Sequence, residues 1–405
     1  MPEKYLKEYE AGYTPRLVME EASRCLLCHD APCSLSCPAG TDPAKFIRSV
    51  RFKNFKGAAE TVRINNILGA ICARVCPTER YCQQGCSRSG IDKPIDIGRI
   101  QKYITDFEDS LKMDILEPAP FNGKTIAIVG SGPSGLASAG NLALAGFKVT
   151  VFEKDSKPGG YLRYGIPEYR LPTEVVDKEI KRIQKLGVDI ICDHPVDDLE
   201  ALKKEYDAVI LACGHSKGKM LPIFENKRFV KIAVELLHDI KKKKGKVKLP
   251  DNVLVIGGGD VAMDVVTSLK LLGVKQVTDV VYETFEEFKA SKKELEGAQE
   301  QGVTIIDGYV PVSLKGKTVK FAHRYINSEL KIKADLIVLA VGQYTEAGKF
   351  GLEVEKTQEV VEKGNRVADN LFVAGDIAHG EKTVVYAVRS AKEVTYAVKK
   401  YLGVK

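Results

Sequence analysis

Eight of the ten cysteines fall between Cys25 and Cys86, in two blocks. The first is Cys25-x2-Cys28-x4-Cys33-x3-Cys37-Pro38, and the second is Cys72-x3-Cys76-Pro77-x4-Cys82-x3-Cys86. Thiolates at such short spacings on turns converge on one ion or cluster. In bacterial ferredoxin runs, which also end in Cys-Pro, the fourth cysteine of one run ligates the other cluster. Two [4Fe-4S] clusters need eight ligands, and eight thiolates are present. Structural zinc is the rival reading, but it prefers paired CxxC units, and only Cys25 and Cys28 have that spacing.

Two glycine-rich turns supply the second kind of chemistry. In Gly130-Ser131-Gly132-Pro133-Ser134-Gly135 the first glycine makes a tight turn and the second lets a pyrophosphate approach the backbone. The third lets helix pack closely on strand. Glu153 closes the next strand, where a carboxylate can accept from ribose hydroxyls. Gly159-Gly160 then lead into YLRYGIPEYRLP, which includes Leu162, a stretch without helical or strand periodicity that suits an extended ligand. Far downstream, Gly375-Asp376 ends a strand before a helix opening near Thr383. An acid there holds ribityl hydroxyls, and the helix N-terminus stabilises negative charge on a reduced flavin. The first turn is therefore expected to bind FAD.

The second turn reads Gly257-Gly258-Gly259-Asp260-Val261-Ala262, with the alanine that the motif permits in third place. Its following strand ends at Glu283, which would repel a 2′-phosphate and bond a free 2′-hydroxyl, so NAD(H) is expected over NADP(H). The strand LIVLAVG brings Ala340 and Gly342 to the same expected site. With redox nucleotides on the same chain, iron–sulfur is the better reading of the cysteines. Cys192 and Cys213 lie at strand ends without a CxxC partner and read as small buried hydrophobes, so electrons leaving the flavin are expected to go to the clusters.

These residues need positioning elements. The chain has 405 residues and 44% hydrophobic content, enough for two or three cores. Residues 1–120 read as helices around the cysteines, and LEPAPFNGK marks a linker. Beyond it TIAIVG, a helix and KVTVFE form a strand–helix–strand unit, and the pattern recurs from NVLVIGGGDVAMD to QVTDVVYE. The expected fold is α/β: an N-terminal all-α iron–sulfur domain followed by two nested Rossmann-like domains. The FAD domain would comprise 121–218 and 343–405, and the NAD domain would be the insertion 219–342. The charge of +7 sets 61 basic against 54 acidic residues, and the run at 241–248 lacks interleaved aromatics, so no nucleic-acid role is expected. No signal peptide and no apolar stretch near the roughly 20 residues of a bilayer span are read, so a cytoplasmic protein away from membranes is expected.

The segments EASRCLLCHDAPCSLSCPAGTDPAKFIRS, GAICARVCPTERYCQQGC, PIDIGRIQKY, PGGYLRYGIPEYRLP, IGGGDVAMD and GEKTVVYAV together resemble the flavin and iron–sulfur subunit of bacterial NAD-dependent dihydropyrimidine dehydrogenase. The resemblance covers nearly the whole chain. It implies a chain that oxidises NADH at FAD and feeds a separate FMN-bearing subunit that reduces uracil or thymine, in a hetero-oligomer such as a heterotetramer. It implies one cluster on Cys25, Cys28, Cys33 and Cys86. The other would take Cys37, Cys76, Cys82 and the side chain of Gln101, with Cys72 a spare, against the simple count of eight thiolates. It also implies flavin contacts from Arg170, Tyr386, Ala387, Val75 and Val196, and no side-chain acid or base for the NADH half-reaction. A glutamate synthase small subunit, a ferredoxin:NAD(P) oxidoreductase module and a zinc-bound NAD-binding scaffold are the alternatives.

Overall fold

The computed structural model describes residues 3–404, and the chain divides into two compact units. The larger comprises Glu10–Arg163, Thr173–Gly214 and Thr345–Lys405. Its sheet has six strands in the order Arg366–Ala368, Leu371–Val373, Ala208–Leu211, Thr125–Val129, Lys148–Phe152, Asp189–Ile191. All neighbours are parallel except the first pair. The central strands TIAIV and AVIL are continuous apolar runs because helices cover both faces of a parallel sheet. Helix Pro133–Leu144 lies against the long C-terminal helix Val384–Leu402.

The cysteine-bearing helices belong to this same unit. Pro15–Ser23, Pro43–Arg51, Phe55–Asn65 and Ile97–Ser110 enclose a core of Val18, Phe46, Ile47, Val50, Val62, Ile100 and Ile104. Each of the first three begins with an oxygen-bearing side chain, Thr14, Asp42 or Asn54, that accepts from a backbone N–H of the first turn. Arg63, fully buried, places Nε 2.8 Å from Glu108 and Nη1 2.8 Å from Glu179 on helix Thr173–Lys185. Arg182 joins the same pair of carboxylates. Residues 10–120 of the expected iron–sulfur segment thus fall in one unit with the FAD-type sheet, whereas the described residues up to Tyr9 fall in the other.

The smaller unit runs from His215 to Tyr344, and includes Tyr164–Pro172 and the described residues up to Tyr9. Its parallel sheet has the order Val230–Ile232, Leu336–Leu339, Asn252–Ile256, Gln276–Val280, Thr304–Ile306. A three-stranded antiparallel sheet, Tyr309–Lys315, Thr318–His323 and Glu329–Lys333, is an addition that the strand–helix pattern did not announce. Tyr5 meets Tyr169 edge to face at 6.1 Å, which fixes the chain start to the detached Tyr164–Pro172 segment. No helix among the described residues is long and apolar enough to cross a membrane.

Candidate functional site

The two cysteine blocks interleave. One cavity is lined by Cys25, Cys28, Cys33 and Cys86, the last drawn from the second block. A second is lined by Cys37, Cys72, Cys76, Cys82 and Gln101. The walls meet at Ile97, which faces both. All ten cysteines are free thiols. Burial pushes Cys33 up to about 11 and holds Cys25 and Cys82 above the ordinary thiol range. Thiolates in such apolar walls need a cationic core, which an iron–sulfur cluster supplies, so the residues fit that group.

Gln101, buried on helix Ile97–Ser110, donates from Nε2 to the Gly69 carbonyl at 2.7 Å. Because a carbonyl only accepts, this bond fixes which end of the amide is nitrogen. The bond occupies the amide nitrogen and not Oε1, the end of the amide that can act as a donor to a metal. Cys72 shares a hydrogen bond with Cys76, which pushes the Cys72 thiol down and raises its neighbour. Thr41 donates from its backbone N–H to the Cys37 sulfur at 3.4 Å, with its hydroxyl 3.5 Å away.

At the first glycine turn the three glycines do three different things. A Cβ on Gly130, which has φ +103°, would lie 2.6 Å from the Ala212 carbonyl. One on Gly135 would lie 2.0 Å from the Gly130 carbonyl, while one on Gly132 would meet nothing within 4 Å. Open space at Gly132, the N-cap of helix Pro133–Leu144, is what a pyrophosphate requires. Glu153 is buried and accepts at Oε2 from the Ser131 N–H at 3.0 Å and from the Ser131 hydroxyl. Its Oε1 accepts from the Asp155 N–H at 2.9 Å. The Gly159 N–H in turn donates to Ser131 Oγ at 2.9 Å, and a Cβ on Gly160 would lie 2.9 Å from Gly132 Cα.

The downstream segment closes on the same loop. A Cβ on Gly375, at φ +80°, would lie 2.2 Å from Ser134 Oγ, and the Gly375 N–H donates to Ser390 Oγ at 2.9 Å. Asp376 follows, and Thr383 caps helix Val384–Leu402 by accepting from the Tyr386 N–H. Ala387 is buried one residue on. Tyr81, beside Cys82, donates to Glu381, lies 3.5 Å from Thr383 Oγ1 and sets its ring 5.9 Å from Tyr386.

In the smaller unit, a Cβ on Gly257 would lie 2.4 Å from the Ala340 carbonyl, and Gly259 again faces open space as the N-cap of helix Asp260–Leu271. Glu283 lies at the loop, with Oε2 2.8 Å from where a Cβ on Gly258 would stand, and Oε1 pairs with Lys289 at 2.7 Å. Asp260 accepts from the Ser291 N–H at 2.7 Å. Val261 packs on the unit's core, and Ala262 is buried in it. Gly342 takes φ +100° just past strand Leu336–Leu339.

The family described as dihydropyrimidine dehydrogenase domain II, 4Fe-4S cluster, matches residues 2–113, and pyridine nucleotide-disulphide oxidoreductase matches residues 124–391. The NAD-dependent dihydropyrimidine dehydrogenase subunit PreT of Salmonella typhimurium is 50% identical over 408 residues, covering 99% of this chain and 98% of its own. PreT of Escherichia coli K12 gives the same identity and coverage. The chain belongs to the PreT family. Among solved structures, FprA from Mycobacterium tuberculosis superposes with a TM-score of 0.60 at 18% identity, over 70% of this chain and 85% of its own, which is a likeness of fold.

PreT-family chains of this kind are NAD-dependent oxidoreductases whose cofactors are FAD, [4Fe-4S] clusters and NAD(H). Against that background the residues sort clearly. Cys25, Cys28, Cys33 and Cys86 line one cavity, and Cys37, Cys76, Cys82 and Gln101 line the other, where Cys72 joins them. Gly130 to Gly135, Glu153, Gly159, Gly160, Gly375 and Asp376 gather at one loop, with Leu162 buried nearby in sequence. Val75 ends helix Gly69–Val75, which packs on Val384–Leu402. Val196 packs beside the same sheet. Arg170 lies in the smaller unit, bonded to both oxygens of Asp264 at 2.7 and 2.8 Å and 3.1 Å from Glu294. Burial pushes Asp264 up to about 7 even against that guanidinium.

Two residues escaped the sequence reading. Ser131 lay inside the fingerprint and could have been found, since a hydroxyl between the two glycines sits under the strand-end acid. Tyr81 carried no signal beyond its place next to Cys82.

Proposed function

We propose that this chain is the NADH-oxidising half of a dihydropyrimidine dehydrogenase, and that it hands electrons to an FMN-containing partner subunit that reversibly reduces uracil or thymine to the 5,6-dihydro forms. When bound, FAD accepts a hydride from NADH and the two [4Fe-4S] clusters carry the electrons onward singly. The observation that carries this reading is the chain of adjoining walls. Val385, in the first turn of helix Val384–Leu402, lines the Gln101 cavity, and Ile97 is common to that cavity and the next.

In this reading Cys37, Cys76, Cys82 and Gln101 hold the inner cluster, and Cys25, Cys28, Cys33 and Cys86 the outer. Gly130, Gly132, Pro133, Ser134 and Gly135 seat the FAD pyrophosphate. Glu153 holds the loop through Ser131, and Asp376 accepts from the ribityl chain. The Thr383-capped helix turns its N–H groups toward the flavin, where they favour negative charge. Val75, Tyr386 and Ala387 exclude water beside it. Gly257 to Ala262 seat the NAD pyrophosphate, with Ala340 and Gly342 on the adjoining strand end and Glu283 reading the ribose. The pyrimidine site and its proton donor belong to the partner. The test is the cofactor-loaded chain alone: it should oxidise NADH with an artificial acceptor and leave uracil untouched until the FMN subunit is added. Uracil reduction by the chain alone would overturn the division.

A further inference from the structure

The long helix Val384–Leu402 reaches the Gln101 cavity at two places. Val385 lines the cavity itself. Lys392, seven residues on, falls on the same face of the helix, because seven residues make nearly two full turns. Its half-buried ammonium donates to the carbonyl of Ala39, within the Cys37-Pro38-Ala39-Gly40-Thr41 turn, and a Cβ on Gly40 would lie 4.0 Å from Nζ. No carboxylate pairs with Lys392 among the described residues, and the charges that bear on it are Cys37 and Cys72. A partly desolvated cation without an anionic side-chain partner is costly unless something negative faces it.

We propose that Lys392 is a positioning charge for the inner cluster, raising its reduction potential from the flavin-binding helix. This rests on the reading that Cys37, Cys76, Cys82 and Gln101 hold that cluster. A [4Fe-4S] core on three thiolates and a neutral amide carries one negative charge fewer than on four thiolates, and net charge and hydrogen bonds to sulfur set cluster potentials. The Lys392 ammonium acts in the same direction. Reduction adds one electron and breaks no bond, so a fixed positive charge nearby favours the reduced form directly. The electron comes from NADH, the donor in that same reading. The cation and the substituted ligand act together at the inner cluster; the outer cavity has four thiolate donors and no substituted ligand, with Arg88 in its wall and Arg51 bonded to the Cys25 carbonyl.

The lowering of the Lys392 pKa by burial, opposed by Cys37 and Cys72, agrees with this placement. The experiment is a redox titration of the full chain, loaded with FAD and clusters and followed by low-temperature EPR. Lys392→Gln keeps a donor for the Ala39 carbonyl and removes the charge, while Lys392→Arg keeps the charge. The reduced-to-oxidised ratio of one cluster at a fixed potential should fall about tenfold in Lys392→Gln, or about 59 mV for one electron. It should stay near wild type in Lys392→Arg. Lys392→Met is the second neutral variant, and the potential must fall in whichever neutral variant retains its iron. Unmoved potentials, equal shifts in Lys392→Gln and Lys392→Arg, or iron loss from both neutral variants alone would each overturn the proposal. Gln101→Ala in the same titration separates the two readings. If it moves no signal, or a different one from Lys392→Gln, the ligand assignment falls while the charge effect stands.

Discussion

Glu153 and Glu283 close equivalent strands behind equivalent glycine turns, yet their carboxylates find different partners. Glu153 is buried and spends its carboxylate on the Ser131 loop and Asp155, whereas Glu283 shares its charge with the exposed Lys289. The turns differ in the same sense. A Cβ at Gly135 is barred by the Gly130 carbonyl at 2.0 Å, but the third place of the other loop already holds alanine, Ala262. Even the strands diverge: Val151 stands opposite Ile128 in one sheet, and Asp279 stands opposite Val255 at the matching place in the other. The FAD-type loop is thus built as a fixed seat. The NAD-type loop tolerates more, as suits a ligand that comes and goes.

The strongest way to break the contrast is Gly135→Ala. Overpacking against backbone should cost about 3 kcal/mol, and the purified protein should lack flavin absorbance. Ala262→Gly, the reciprocal change, should cost only about 1 kcal/mol of helix stability and keep NADH oxidation. Glu153→Gln comes next. An amide nitrogen must then face either Ser131 or Asp155, both donors, so FAD retention should weaken by about 2 kcal/mol, read as a roughly thirtyfold higher dissociation constant.

Asp279→Val gives the smaller unit the residue of the larger one. Both Asp279 oxygens are buried without a partner, and burial holds the carboxyl well above its usual range. The fold therefore accommodates the protonated acid. Its contribution is intact below the unfolded pKa of about 4 and is lost as pH rises toward the raised folded value. The valine variant should be more stable by about 1–3 kcal/mol at neutral pH, and its advantage in denaturant melts should shrink as pH falls toward 4. Glu283→Arg should raise the NADPH-to-NADH ratio of kcat/KM about tenfold, roughly 1.4 kcal/mol. An unchanged ratio would mean that Glu283 does not read the ribose.

Much of this was legible because local sequence carries it. Gly130, Gly132 and Gly135 each have a steric reason that any strand–turn–helix imposes, and Cys-Pro spacing announced the clusters. Gln101 was not legible from spacing: an amide on an amphipathic helix looks like surface, and only the family resemblance pointed to it before its bond to Gly69 O placed it in the cavity. The ion partners of Arg170 were not legible either, since its motif is adjacent in sequence to the flavin loop while Asp264 and Glu294 lie about a hundred residues away. Lys392 was invisible, since nothing in a charged amphipathic helix marks which lysine turns inward.

Arg63 bears on how such proteins are assembled from parts. The cysteine-rich segment looks like a ferredoxin cassette that could be cut at residue 120 and grafted elsewhere. Its buried guanidinium, however, is shared between Glu108 inside that segment and Glu179 outside it, and Glu179 also lies 3.4 Å from the Ala70 N–H at the start of the Cys72 helix. Severing the chain there would strand part of a desolvated charge network, at a cost on the order of 3–5 kcal/mol. The wiring segment is therefore inherited with its flavin-binding host or not at all.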